Sequence, residues 1–184
     1  AEVAPALREG TQVLLLGVKI MTPGKWGKRG NQIQLLVSMP ARVFVLQFEG
    51  QIDEDSVLVQ KVWRLRCPLK DMSPVAIERN FTRQYLDNPA GIYPKLEKAI
   101  RRSFEIAAED NDLVIIEGTG HAGVGSVIGL SNARVAKLLN AKVILVTCGG
   151  VGKPIDEVML NKARFDALGV EVLGVIVNKV IPAK

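Results

Sequence analysis

Three short aliphatic runs, residues 113–117, 142–147 and 170–178, alternate with stretches of helical periodicity in the second half of the chain. Strands that are apolar throughout, rather than at every second position, belong to parallel sheets covered on both faces. The intervening segments supply the cover. Over residues 94–109, Leu96, Ala99, Ile100, Phe104 and Ala107 share one helical face, while Lys98, Arg101, Arg102 and Glu105 fall mostly on the other. Residues 132–140 predict a short helix capped at Ser131-Asn132. Residues 154–168 predict a longer one, opening with Pro154, Asp156 and Glu157 and stopping at Gly169. Repeated strand-helix alternation predicts an α/β fold with a doubly wound, mostly parallel sheet.

The first half is less regular. Runs 12–18, 33–37 and 42–48 are apolar, with 33–37 compatible with helix or strand, and a Gly- and Lys-rich stretch occupies 23–30. Residues 67–92 carry Pro68, Pro74, Pro89, Gly91 and little periodicity, predicting a long excursion over the strand ends. A chain of 184 residues can remove roughly 70% of its unfolded surface from water, so it needs neither disulfides nor a metal to hold a core. Cys67 and Cys148 are expected as core thiols, since no C-x-x-C pair or His-Cys cluster exists.

No apolar run approaches the roughly 20 residues that cross a bilayer, and residues 1–10 read as an exposed start rather than a targeting peptide. The expectation is a soluble chain in a reducing compartment, the cytoplasm or an organelle interior, without a membrane span. Net charge is +5, but the positive residues are interspersed with Glu and Asp, and 5% aromatic content leaves few stacking platforms for bases. A basic nucleic-acid-binding module, resting on charge and the Lys19, Lys25, Lys28, Arg29 cluster, is therefore an outside alternative.

The sharpest local feature is Glu117-Gly118-Thr119-Gly120-His121-Ala122-Gly123-Val124-Gly125-Ser126, directly after a buried-type strand. Glycines at this density let backbone approach a ligand closely. The carboxyl end of a parallel strand is where α/β folds bind ligands, and an acidic residue there can hold Mg²⁺ beside a phosphate. Glu117 is the first metal candidate. The alternative is that the glycines serve only a tight strand-to-helix turn with Glu117 as a local cap. His121, the sole histidine, could contact a phosphate or carboxylate or simply bond locally.

The stretch 112–139, with EGTGHAGVGSV and LSNARVAKLL, resembles the dethiobiotin-synthetase-like domain found at the amino end of some bacterial phosphate acetyltransferases. The likeness extends through 143–147, Gly149-Gly150-Val151-Gly152-Lys153-Pro154-Ile155-Asp156-Glu157 and Gly174-Val175-Ile176-Val177-Asn178-Lys179, and back to Gln51-Ile52-Asp53-Glu54-Asp55-Ser56 and Ser73-Pro74. The resemblance implies a P-loop NTPase-like fold over a single domain, 1–184, with a divergent part at 1–50. It implies ATP and Mg²⁺ as cofactors, Glu117 as magnesium ligand, and Asp53 or Asp55 as the second acidic ligand. Gly118, Thr119, Gly120 and His121 line the nucleotide side, and Asn178 reads the base, an amide being able to donate and accept at once. Asn178 as a strand-end cap, and residues 53–55 as a solvated helix start, are the plainer readings.

Gly149-Gly150-Val151-Gly152-Lys153-Pro154 imitates a phosphate loop, but Thr147 stands where the first Gly belongs and Pro154 where a hydroxyl does. It reads as a strand-to-helix turn with Pro154 as the first helical residue. The family register places the P-loop at Lys19-Ile20-Met21-Thr22-Pro23-Gly24-Lys25-Trp26. There Gly24 and Lys25 keep the cofactor-binding pair, with Lys25 and Glu117 as catalytic candidates. Trp26 replaces the Mg²⁺-binding hydroxyl, Lys19 replaces the first Gly, and Gln47-Phe48 replaces a Lys-Pro that contacts phosphate. Losing these contacts removes several kcal/mol of positioning and charge stabilisation from phosphoryl transfer. The expectation is a degenerate P-loop domain with a regulatory, binding or assembly role, in a homodimer or larger assembly. The alternative is an ATP- and Mg²⁺-dependent enzyme activating a carboxylate or carbamate.

Overall fold

The computed structural model describes residues 12–16, 57, 60–61, 67–75, 77, 80–109, 113–118 and 120–180. The sequence runs at 33–37 and 42–48 lie outside them. Strand β1, Gln12–Leu16, is followed by helices α1, Leu69–Met72, α2, Phe81–Asp87, and α3, Pro89–Ala108. Then come β2, Val114–Gly118, a 3₁₀ turn at Ser126–Ile128, α4, Asn132–Leu138, β3, Lys142–Cys148, α5, Lys153–Ala167, and β4, Val172–Asn178.

The described strands form one parallel sheet in the order β2-β1-β3-β4. Leu14 of β1 is in register with Ile116 on one side and Val143 on the other. From β1 the chain moves outward to β2, then returns across β1 to β3 and continues to β4. This reversal of direction is the doubly wound arrangement, and it puts a switch point at the carboxyl end of β1.

Burial follows position in the sheet. All five residues of β2 are buried, as an apolar parallel strand requires. In β3, Val143 and Leu145 are buried and alternate with half-buried neighbours. Strand β4 departs from the expected two-sided cover: Val175, Ile176 and Val177 are 44%, 38% and 51% exposed. It ends the described strand order, so β3 is its one strand neighbour there.

The core gathers Met72, Ile100, Ile116, Val135, Val143 and Phe165, all essentially inaccessible. Helix α3 buries Ile100, Ser103 and Ala107, with Leu96 and Phe104 packed against the cluster, on the face the periodicity predicted. It starts at Pro89, not Pro94. Asn88 caps it by accepting from the Gly91 N–H at 3.0 Å, Pro89 fills the first turn where no donor is needed, and Pro94 is carried inside the helix, exposed.

The described residues between 67 and 92 likewise hold more regular structure than their prolines suggest. Helices α1 and α2 occur there, because Met72 and Tyr85 are drawn into the core and tertiary packing outweighs weak periodicity. Asp71, buried in α1, accepts from the Ser103 hydroxyl at 3.1 Å, which ties α1 to α3. Arg101 donates from α3 to the Leu138 carbonyl at the end of α4 at 3.0 Å.

Helix α5 presents Pro154, Val158, Asn161, Phe165 and Leu168 inward at helical spacing, and Phe165 is fully buried. Replacing it should leave a cavity that the sheet cannot close. Phe165→Ala is expected to cost about 3–5 kcal/mol in urea-induced unfolding. Ile155→Ala, on the exposed side of the same helix, should stay within about 0.5 kcal/mol.

Candidate functional site

At the carboxyl ends of the strands, Leu16 closes β1 with Gly118 of β2 as its partner on one side and Leu145 of β3 on the other. Glu117, one residue before the end of β2, sits opposite Leu15 and is 5% exposed. A carboxylate at this depth beside the switch point is a hard oxygen donor, chemically suited to Mg²⁺. Among the described residues no three His, Cys, Asp or Glu side chains gather as a metal-ligand set. Asp53 and Asp55, the expected second ligands, and Gly24, Lys25 and Thr119 lie outside the described residues. A shallow depression lined by Phe104, Glu105, Ile106, Ala108 and Glu109 lies at the end of α3 that leads into the start of β2. It lies toward the amino end of β2, whereas Glu117 is at the carboxyl end, so the geometry of the strand ends is the better guide to a ligand.

The loop after β2 is folded by its own hydrogen bonds. Val124 N–H donates to the His121 carbonyl at 3.0 Å, Ser126 N–H to Gly123 at 3.1 Å, and Leu130 N–H to Gly125 at 3.1 Å. The Ser126 hydroxyl also donates to the Gly123 carbonyl at 2.6 Å. Gly120 and Gly125 hold φ of +71° and +89°, a region costly for any residue with a Cβ. Around Gly125 the chain also folds back so tightly that a Cβ would collide with the Leu130 carbonyl oxygen.

His121 is exposed, and its Nδ1 accepts from the Gly123 N–H at 3.1 Å. The neutral ring then carries its hydrogen on Nε2, a donor suited to an anion. Asn132, buried at the start of α4, donates from Nδ2 to the His121 carbonyl at 2.9 Å. Asn161 of α5 accepts the Ala122 N–H at 2.6 Å. Asn132 lies in the LSNARVAKLL stretch, where it was read only as part of a helix cap, and Asn161 belongs to no motif. The available signal for Asn161 was an amide on the otherwise apolar inward stripe of its helix, a place where a poor helix former needs a reason.

Asn178 closes β4 opposite Cys148. Its Oδ1 accepts from the following Lys179 N–H at 2.8 Å, the local cap, while Nδ2 keeps its donor capacity. Asn178 and Glu117 lie on the two outer described strands, three inter-strand spacings apart, about 14 Å at ~4.8 Å each. In the turn after β3, Gly150 and Gly152 hold φ of +139° and +103°, and α5 begins at Lys153 with Pro154 second, one residue earlier than expected. This segment makes the strand-to-helix turn, and Lys153 pairs with Glu157 at 3.5 Å on the surface.

A family model described as an AAA domain matches residues 42–184. The chain belongs to that family, whose members are P-loop NTPases of the dethiobiotin-synthetase-like group. The parallel α/β architecture agrees with it. The chain is also similar to cobyric acid synthase of Caldanaerobacter subterraneus subsp. tengcongensis, 39% identical over 94 residues. The match covers 47% of this chain and 18% of that protein. Among the described residues no helix of this AAA-family chain is long and apolar enough to cross a membrane.

The two thiols of the domain do not both sit in the core, as composition suggested. Cys148 is exposed at the carboxyl end of β3. Cys67 is half-buried, and burial together with the Asp71 carboxylate pushes its thiol up to about 12. A raised value means less thiolate at neutral pH, and the thiolate is the nucleophile. Iodoacetamide at pH 8 should therefore label Cys148 first, with Cys67 reacting in the folded chain only as pH climbs toward about 12. Peptide mass mapping reads this directly.

The loop geometry yields a second expectation. Gly125→Ala combines left-handed strain with the Leu130 collision and should lower stability by about 1–3 kcal/mol, seen as a reduced Tm. Gly123→Ala is tight only against the His121 side-chain ring, 3.2 Å away, with the Ser126 hydroxyl at an ordinary 3.8 Å, and should cost less.

Proposed function

We propose that this domain binds a purine nucleotide across the carboxyl ends of its strands and has lost efficient phosphoryl transfer, serving a regulatory, binding or assembly role. The observation that carries the reading is a contrast. Glu117 is buried at the switch point beside an ordered glycine-rich loop, whereas the phosphate-loop sequence carries Trp26 where a Mg²⁺-binding hydroxyl belongs. The separation of Glu117 from Asn178 suits a nucleotide lying along the strand ends, with its base toward Asn178 and its phosphates toward Glu117.

In this reading Lys25 contacts the phosphates, and Gly24, Gly118, Thr119 and Gly120 let backbone approach them. His121 donates from Nε2. Glu117, with Asp53 or Asp55, would hold Mg²⁺. When bound, the ion neutralises phosphate charge. The single-domain extent 1–184, with a divergent part at 1–50, belongs to the same proposal. So do the likeness to the amino-terminal domain of phosphate acetyltransferases and pairing into a homodimer or larger assembly.

A second reading is favoured by the buried Glu117 and by the similarity to cobyric acid synthase: an ATP-dependent enzyme that activates a carboxylate or carbamate. It requires another ligand in place of the missing hydroxyl. Calorimetric titration with ATP, ADP and GTP, with and without Mg²⁺, separates the two when paired with a phosphate-release assay. The expected result is binding weakened about tenfold or more by Lys25→Ala, the loss of a charge-assisted contact, without appreciable turnover. Mg²⁺-dependent ATP hydrolysis abolished by Glu117→Gln would overturn the degenerate reading in favour of the enzyme.

A further inference from the structure

The two peptides that flank Ala122 are gripped from two helices. On one side, Asn132 Nδ2 donates to the His121 carbonyl at 2.9 Å and Ala133 N–H donates to the Ala122 carbonyl at 3.1 Å, both from the start of α4. On the other, the Ala122 N–H points to Asn161 Oδ1, 39 residues further along the chain. Ala122 is 2% exposed, so this donor has little access to solvent and needs a partner within the protein. The Asn161 amide is itself oriented, because its Nδ2 donates to the Glu157 carbonyl one turn earlier in α5 at 2.7 Å. With the nitrogen engaged on its own helix, the oxygen is turned to the loop.

We propose that Asn161 is a positioning residue for the candidate site. It fixes the glycine-rich loop against α5, and through that loop sets where Gly118, Gly120 and the His121 imidazole stand relative to a bound nucleotide. The proposal rests on the nucleotide-binding reading for its ligand, but the clamp itself is a property of the folded chain. Three features argue for positioning rather than ordinary helix packing. Asn161 occupies the inward stripe of α5 between Val158 and Phe165, where an aliphatic residue would pack without a polar group to satisfy. Its partner is one residue from His121 and five from Glu117. And α5 follows the glycine turn after β3, so the same helix joins the exits of β2 and β3 on either side of β1.

The test uses the whole chain, with Asn161→Leu removing both bonds and Asn161→Asp retaining an acceptor for the Ala122 N–H. Amide hydrogen exchange followed by NMR reports on Ala122, and a titration with MgADP reports on the site. In Asn161→Leu, Ala122 should exchange about tenfold faster, the effect of losing one buried hydrogen bond, while Val143 in β3 keeps its protection. MgADP should bind about tenfold more weakly, and Asn161→Asp should restore slow exchange at Ala122. Unchanged Ala122 exchange in Asn161→Leu overturns the clamp. Faster exchange with undiminished MgADP affinity overturns the positioning role. A wild-type chain that does not bind MgADP sinks the nucleotide reading alone, and Ala122 exchange then still decides for or against the clamp.

Discussion

Strand β1 is short, and the sheet depends on its pairing along both edges. Its backbone groups pair in parallel with β2 on one side and β3 on the other. Parallel partners cannot be joined by a hairpin, so each pairing obliges the chain to cross the sheet, and the crossovers must bury an apolar face on it. From β2 to β3 the crossover includes the glycine-rich loop and α4; from β3 to β4 it is α5. Because β2 lies on one side of β1 and β3 and β4 lie on the other, the strand order reverses at β1, whose carboxyl end is the switch point. The crevice there follows from topology, and Glu117 stands beside it because it is the penultimate residue of β2.

The loop that follows Glu117 is held in a different way from the strands. Its geometry comes from left-handed glycines and from amide side chains that reach in from neighbouring helices. Asn132 and Asn161 take up the carbonyl and the N–H on either side of one peptide, and α3 is in turn joined to α4 through Arg101. Such a loop is ordered by partners distant in sequence. A ligand arriving at it would meet backbone already placed, which lowers the ordering cost of binding.

Much of the second half was legible from its letters. The aliphatic runs became β2, β3 and β4 within about two residues, and the Ser131 cap, the Asn132 helix and the α5 helix fall where capping and periodicity put them. Helix α3 began earlier than its periodicity suggested, because Asn88 and Pro89 made a better start than Pro94. The short helices at 69–72 and 81–87 were missed, since Met72 and Tyr85 are helical through long-range burial rather than local pattern. Cys148 was misplaced for the converse reason: apolar composition says nothing about whether the last residue of a strand is covered.

By itself the sequence determined the alternation of buried strands with amphipathic helices, the glycine-rich stretch after Glu117, and the tryptophan that interrupts the phosphate-loop pattern. These are local properties, written in hydropathy period, backbone permissiveness and side-chain chemistry, and they need no partner to be read. Only the tertiary structure decided that β1 lies between β2 and β3, that Glu117 is buried beside the switch point, and that Asn161 holds the loop. Strand order and a hydrogen bond across 39 residues depend on which surfaces find one another as the chain closes, and no local pattern encodes that choice.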